Sequence, residues 1–392
     1  MSERMANDPL ETLAVPLLGA GIAVILPSRE NFRRQDAGAV ALTVHAFSLA
    51  SRYRQALVVF GGQPEHFDDM AYRHIDAKLS WIYGRNRAYG IACVQALRTQ
   101  PEMQLVEVHN RIPLALNIKK HLPMRRVTVH LHNDPQGMDG GRTVAERQTL
   151  LATLDRVYCV SNYVRTRILD GVDPILAEKA EVIYNALPVS ENITVLDASE
   201  SRKPWIVYAG RFIPEKGVLE LAEALAQLLP QYPNWRVEFL GAWGFGHEAG
   251  KSSYEQSVYA ALAKVADQVD FRGHVAHGEV LKVFSQASIA VSPSTGLEAF
   301  GRTTLEAMDA GCAVITSSSC GLREVVGDTA IVVDPVTAAS LAAAIGDLMD
   351  NPLKRLQLAA QGRQRAQTVF SLSQQVAHLD AARDQLLSHA QV

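Results

Sequence analysis

Short β-branched or apolar runs alternate with longer stretches of helical period along almost the whole chain, and the alternation runs through two successive series. Such a pattern folds as a parallel sheet with helices on both faces, because parallel strands need a crossover and a helix is the compact way to make one. In the first series the candidate strands are 22–26, 56–60, 104–108, 126–130, 156–160 and 181–183, and 38–51 places Val40, Val44, Phe47 and Ala50 at helical spacing. From Asn185 to Pro204 the pattern lapses into a polar stretch closed by a proline, the best place for a linker. The second series predicts strands at 205–208, 235–240, 269–271, 289–291, 313–316 and 330–332, then an almost wholly helical tail over 338–387. At 392 residues the chain exceeds what one core usually supports. The expectation is two doubly wound α/β domains, 1–190 and 200–370, with 371–392 as a final helix.

Composition matters mainly for what it excludes. A hydrophobic share of 48% and a charged share of 20% are those of an ordinary globular chain. A dispersed net charge of -3 leaves no basic footprint for a nucleic acid. No run reaches the roughly 18 apolar residues of a membrane span. Segment 13–26 is apolar enough for a signal peptide, but Glu3, Asp8 and Glu11 outweigh Arg4 ahead of it, the reverse of a secretory leader. It reads as a lead-in and a buried first strand, and the expected location is cytoplasmic. Cys93, Cys159, Cys312 and Cys320 stand far apart without a C-x-x-C pair, so they read as packed thiols. Two basic clusters, Arg29, Arg33 and Arg34 and then Lys119, Lys120, Arg125 and Arg126, read first as solvated surface. Their functional reading is a face for phosphate or for anionic headgroups at the inner membrane surface.

In open parallel sheets ligands sit beyond the carboxyl ends of the strands, so the loops after each strand carry the chemistry. After 205–208 comes A-G-R-F-I-P-E-K-G, in which Gly210 and Gly217 permit tight turns while Arg211 and Lys216 put two cations beside the next helix. A helix N-terminus with two cations suits a diphosphate. After 289–291 comes S-P-S-T-G-L-E-A-F-G-R-T-T-L-E-A-M-D-A-G, with Glu298 in the loop and Glu306 on the helix that Gly301 opens. The backbone around Phe300, Gly301, Arg302 and Thr303 can approach phosphate oxygens, and the two carboxylates can accept from paired hydroxyls. No acidic motif points to a metal; Asp68 and Asp69 read as a helix N-terminal pair. The loop 241–246, G-A-W-G-F-G, reads as a border of the nucleotide or acceptor site, or as plain surface.

With these two motifs in this order the chain resembles glycosyltransferase family 4, which carries G-R-x-x-x-x-K-G followed by E-x7-E. The likeness is most specific over 205–335, including G-C-A-V-I-T and G-L-R-E-V-V-G-D. It is looser in V-H-N-R-I-P at 108–113, T-V-H-L-H-N-D-P-Q-G-M at 128–138 and C-V-S-N-Y-V at 159–164. These look like members acting on surface polysaccharide, lipopolysaccharide core or spore coat. The resemblance implies a GT-B architecture, two facing Rossmann-like domains with a C-terminal helix crossing back to the first. It implies a retaining, metal-independent transfer from a nucleotide sugar, UDP-sugar being commonest, to a glycan or lipid-linked acceptor, with no other cofactor. Arg211 and Lys216 would neutralise the leaving diphosphate, Glu298 would meet the sugar hydroxyls and Glu306 the ribose. His132 would stand near the reacting sugar, with His109 and His130 as rivals; strict alternation puts His130 and His132 on the same face of their strand, so one could support the other. The family's glycine pair after the first strand is here the single Gly38 of R-R-Q-D-A-G-A-V, which leaves the acceptor side less specified.

Two other readings are weighed against this one. A two-Rossmann oxidoreductase needs G-x-G-x-x-G after an opening strand, and 25–38 has none. A non-catalytic sugar-nucleotide-binding or scaffold relative would be expected to lack Arg211, Lys216 or the glutamates, and all four are present.

Overall fold

A computed structural model of the chain describes residues 20–78, 81, 84–187, 202–242 and 252–388. The first domain is a seven-stranded parallel sheet of β1 (Gly21–Ile25), β2 (Leu57–Gly61), β3 (Tyr72–His74), β4 (Met103–His109), β5 (Arg126–Leu131), β6 (Arg156–Cys159) and β7 (Ala180–Val182). Their spatial order is β3-β2-β1-β4-β5-β6-β7. The strands are near-continuous apolar runs because both faces are covered, as a parallel sheet requires. The covering helices are α1 (Ala39–Ala50), α2 (Arg85–Arg98), α3 (Ile112–His121), α4 (Val144–Thr153) and α5 (Asn162–Leu169).

The second domain repeats the scheme with six parallel strands: β8 (Lys203–Ala209), β9 (Arg236–Leu240), β10 (Val269–Gly273), β11 (Ala287–Ser292), β12 (Ala313–Ser317) and β13 (Ile331–Val333). Their order is β10-β9-β8-β11-β12-β13. Its helices are α6 (Val218–Leu228), α7 (Ser253–Leu262), α8 (His277–Gln286), α9 (Arg302–Asp309), α10 (Cys320–Val326), α11 (Ala338–Asp350) and α12 (Pro352–Val369). The strand order reverses between β1 and β4 in one sheet and between β8 and β11 in the other. Each reversal opens a crevice at the strand ends. The loops after β8 and β11, which carry the two motifs, flank the second crevice.

The final helix, α13 (Leu372–Ser388), lies on the first domain. Val376, Leu379 and Ala382 pack with Phe47, Tyr158 and Ile183, while Leu386 and Leu387 join the core beneath β1 and β2. Within that apolar face is a buried ion cluster. Arg383 is 2% exposed and grips both oxygens of Glu107 on central strand β4, at 2.9 and 2.7 Å. It also donates to Asp380 Oδ1 at 2.8 Å and to Ser51 Oγ at 3.0 Å. Burial pushes the Glu107 carboxyl up, but the guanidinium outweighs it and holds the group below its usual range.

Several local expectations change. Pro204 does not close a linker but is the second residue of β8, at the strand start, where a missing N–H costs little. Residues 188–201 lie outside the described residues, as do 243–246 of the glycine-rich loop and the lead-in before residue 20. Asp69 is not at a helix N-terminus; it sits in a turn, with its carboxylate 2.8 Å from His45 Nε2. The basic clusters are largely spent on internal contacts: Arg33 on Asp36 and Glu65, Lys119 and Arg126 on Asp155, and Arg125 on the carbonyls of Leu97, Gln100 and Met103. Among the described residues no helix is long and apolar enough to cross a membrane.

Candidate active site

The loop after β8 is a short turn, Pro214–Lys216, ending at Gly217 with φ 65°. A Cβ at Gly217 would meet the Pro293 carbonyl oxygen at 2.0 Å, so only glycine allows this loop to nest against the one after β11. The two loops are tied through the Glu215 carbonyl, which accepts from Thr295 and Gly296 N–H at 3.0 and 2.9 Å. Lys216 Nζ is thereby brought onto Glu298 Oε1, which also accepts from Ser294 Oγ at 2.9 Å. Ser319 Oγ accepts from Glu298 N–H at 3.1 Å and donates to the Gly296 carbonyl at 2.7 Å, fixing the backbone behind the glutamate. A lysine and a carboxylate held together at the end of a sheet are separable by a ligand that gives each a better partner, a phosphate for one and hydroxyls for the other.

Glu306 lies on α9, which begins after Gly301 with φ 100°. Its Oε1 is 2.8 Å from both His277 Nε2 and Arg302 Nε. Burial pushes this carboxyl up, and the His277 contact with the Arg302 charge more than reverses the effect, leaving it ionised and acceptor-only. Phe300 does not face the crevice: its ring is 3% exposed and packs on Tyr184 and Phe370, so only its backbone borders the site. Thr303 occupies the second position of α9.

From the first domain, His109, His130 and His132 converge on the facing crevice. The alternation along β5 suggested His130 as the support of His132, but the structure puts His109 of the neighbouring strand in that place. His109 Nδ1 is 2.9 Å from His132 Nε2, and the His109 ring stacks between the other two, at 4.4 Å from His130 and 5.2 Å from His132. Burial is the main reason all three resist protonation; His132 is pushed down to about 3, with His130 and Arg302 adding to the effect, and His130 to about 4. His109 also moves well below its usual value, through burial and its histidine neighbours. At neutral pH the ladder is uncharged, and His132 serves as a hydrogen-bonding group rather than a cation.

This ladder has a measurable consequence. An unfolded histidine takes up its proton near pH 6.5, whereas the folded His130 does so only near pH 4. Between those values the unfolded state binds more protons, so stability falls as pH drops through that window and is fully present above it. Denaturant melts from pH 7 to 4 should show a slope from His130 approaching about 1.4 kcal/mol per pH unit, which His130→Phe reduces. A flat profile shared by wild type and variant would refute the buried neutral ladder.

Glu107, His109 and His130 are the one group among the described residues with ligand atoms close enough to hold a metal ion, all within 4.8 Å. The fit is poor, since Arg383 occupies both Glu107 oxygens and adds a cation where a metal would sit.

The two domains touch across the crevice at several of these residues. Arg302 Nη1 donates to Thr43 Oγ1 on α1 at 2.9 Å, so the arginine that holds Glu306 also reaches the first domain. Ser161 Oγ donates to the Ala299 carbonyl at 2.6 Å, and Glu324 accepts from Asn162 N–H at 2.9 Å and from the Tyr184 hydroxyl at 2.8 Å. His132, His109 and Arg302 thus converge at the crevice, and Lys216 with Glu298 lies at the end of the second sheet. At Gly38 the Glu30 carboxylate sits against the glycine and accepts from Ala41 N–H at 3.1 Å, at the start of α1. His277, Thr43, Ser294 and Ser319 are contributors that sequence reading missed. Only His277 had a signal, as a histidine opening a helix after a strand.

Two facing doubly wound domains with a polar crevice between them define a GT-B protein. Residues 192–365, in the second domain, match the family model described as "Glycosyl transferases group 1", in keeping with the chain's likeness to family 4. It is 24% identical over 245 residues to the lipopolysaccharide 1,2-N-acetylglucosaminetransferase of Salmonella typhimurium, a match spanning 59% of this chain and 58% of that relative. Spore coat protein SA of Bacillus subtilis is 24% identical over 282 residues, 68% of this chain and 74% of the relative. A glycogen synthase of Mycobacterium tuberculosis is 33% identical over 225 residues, 56% and 52% of the two chains. In fold, the chain is similar to the Anabaena Alr3699/HepE structure in complex with UDP and glucose, with TM-score 0.72, 18% identity and coverage of 92% and 100%. The sucrose-phosphate synthase of Thermosynechococcus elongatus gives TM-score 0.72 at 20% identity over 94% and 100%.

Proposed function

We propose that this chain is a glycosyltransferase that moves a sugar, with retention of anomeric configuration and without a metal, from a nucleoside diphosphate sugar to a glycan or lipid-linked acceptor of cell-surface polysaccharide or lipopolysaccharide assembly. The observation that carries the reading is the Lys216–Glu298 pair at the end of the second sheet, with Glu306 and Arg302 on the adjoining helix. A UDP-sugar is the favoured donor, supported by a fold neighbour whose structure holds UDP and glucose. Its diphosphate draws Lys216 and Arg211 and the Gly210–Gly217 turn, its ribose hydroxyls donate to Glu306, and its sugar hydroxyls donate to the freed Glu298.

Transfer breaks the bond from the anomeric carbon to the phosphate oxygen and forms the bond to the acceptor oxygen on the same ring face. The acceptor proton passes to the departing phosphate. Charge grows on the phosphate as the bond breaks, so fixed cations that meet it there lower the barrier most. No carboxylate is asked to be a nucleophile. Neutral His132 orients hydroxyls from the first domain. The reaction would run on the cytoplasmic side, where nucleotide sugars are made.

A panel of UDP-, GDP- and ADP-sugars with candidate acceptors tests this, read as nucleotide release and as product configuration by proton NMR. One donor should turn over, the product should keep the donor's configuration, and Glu306→Ala should lose at least tenfold in kcat/KM. An inverted product would refute retention. Binding of a donor without turnover on any acceptor, equal in wild type and Lys216→Ala, would favour a non-catalytic relative.

A further inference from the structure

The two partners of Glu306 crowd one of its oxygens. His277 Nε2 and Arg302 Nε both lie 2.8 Å from Oε1. Because the carboxylate is ionised and can only accept, His277 must carry its proton on Nε2 and donate it. A carboxylate oxygen offers about two lone-pair sites, so Oε1 is filled and Oε2 is left for a ligand hydroxyl.

The two donors differ in what else they hold. Arg302 also donates from Nη1 to Thr43 Oγ1 at 2.9 Å, and its side chain is 11% exposed. Thr43 gives its own proton to the Ala39 carbonyl at 2.8 Å, so it meets Arg302 as an acceptor and keeps that end of the guanidinium turned to the first domain. His277 is less committed. It is the first residue of α8, just beyond the carboxyl end of β10, and its side chain is 31% exposed against 4% for Glu306. A helix start in that position lies on the ligand side of an open sheet. The imidazole is therefore the donor beside Glu306 that a ligand reaches first.

A ribose hydroxyl both donates and accepts, and Glu306 answers only its proton. We propose that His277 is a specificity-determining residue of the donor site, donating from Nε2 to a ribose hydroxyl whose own proton Glu306 Oε2 accepts. This role rests on the nucleotide-sugar reading above and names a second group that reads the sugar of the nucleotide. As the nucleotide enters, the imidazole N–H turns from Oε1 to the hydroxyl oxygen, while Arg302 stays on Oε1. A deoxynucleotide would leave the donor and the acceptor both unanswered, and a site built to bond a hydroxyl rejects the analogue that lacks it. An imidazole that served only to hold Glu306 would act through the carboxylate alone, and would have nothing to offer once the carboxylate is removed.

The test is calorimetric titration of the full chain with UDP, GDP and ADP, then with the 2′-deoxy and 3′-deoxy forms of the one that binds. Wild type is compared with His277→Phe, Glu306→Ala and the double variant. Wild type should prefer the ribonucleotide to one deoxy form by about tenfold or more. His277→Phe should weaken the ribonucleotide about fivefold and that deoxy form less than about twofold. Glu306→Ala should keep a preference of about threefold, and the double variant should have none. Equal weakening of both nucleotides by His277→Phe would overturn the contact. A Glu306→Ala protein with no preference left would also overturn it, since His277 would then act only through the carboxylate. His277→Gln carries an N–H to a similar place and should recover part of the preference; recovery of none would overturn donation from Nε2. If none of the three diphosphates binds wild type, the nucleotide-sugar reading itself fails and the role of His277 falls with it.

Discussion

Lys216→Ala is expected to lower kcat by about 10²–10³-fold, the loss typical of one preorganised charge at a developing anion. The chain should stay folded. Lys216 and Glu298 are both partly exposed at a loop, and a pair of this kind contributes about 1 kcal/mol or less to stability. With the lysine gone, Glu298 keeps Ser294 Oγ as a partner and its backbone stays fixed by Ser319. The measurement is nucleotide release alongside a thermal melt. A variant with normal turnover would remove Lys216 from the mechanism, and one that failed to melt cooperatively would show that the pair is structural. Lys216→Arg should recover part of the rate, because charge returns in a bulkier shape.

Arg383→Ala should have the largest effect on stability, about 3–5 kcal/mol. It strands Glu107, 1% exposed on a central strand, and leaves Asp380 at 4% exposure with only Ser51 and the Arg52 N–H. Against the 5–15 kcal/mol of a typical domain that loss is severe. Because the cost comes from uncompensated buried charge rather than from losing a favourable pair, Glu107→Gln/Arg383→Met should regain much of it. Urea melts of the single and double variants decide the point. A double variant no more stable than Arg383→Ala would mean that the cluster contributes through its own attraction.

The parts of this site that were readable in the sequence are local ones. The Gly210–Gly217 turn and the Glu298 to Glu306 stretch each lie within one strand–loop–helix unit, where spacing fixes geometry. Alternation along β5 correctly puts His130 and His132 on one face, but it is blind to the neighbouring strand. It could not tell that His109, paired in register with His130, would be the ring that touches His132. Glu107 was visible only as a charge inside an apolar run; its partner Arg383 is 276 positions away, on a helix whose docking no periodicity reveals. Thr43 and Arg302 likewise meet only because two domains close on each other. The error at Asp69 has the opposite origin, since an acidic pair resembles a helix start whether or not a helix follows. Gly38 was legible as a single glycine, but the Glu30 carboxylate seated beside it at the start of α1 was not.

The central claim is that the second domain binds a nucleoside diphosphate through the Gly210–Gly217 turn and Glu306. Calorimetric titration of UDP, GDP and ADP into wild type, Lys216→Ala and Glu306→Ala tests it most directly. The account predicts that one of the three binds wild type and that each variant binds it at least tenfold more weakly, a difference of about 1.4 kcal/mol or more. Absence of binding by all three, or binding that neither substitution weakens, would contradict it.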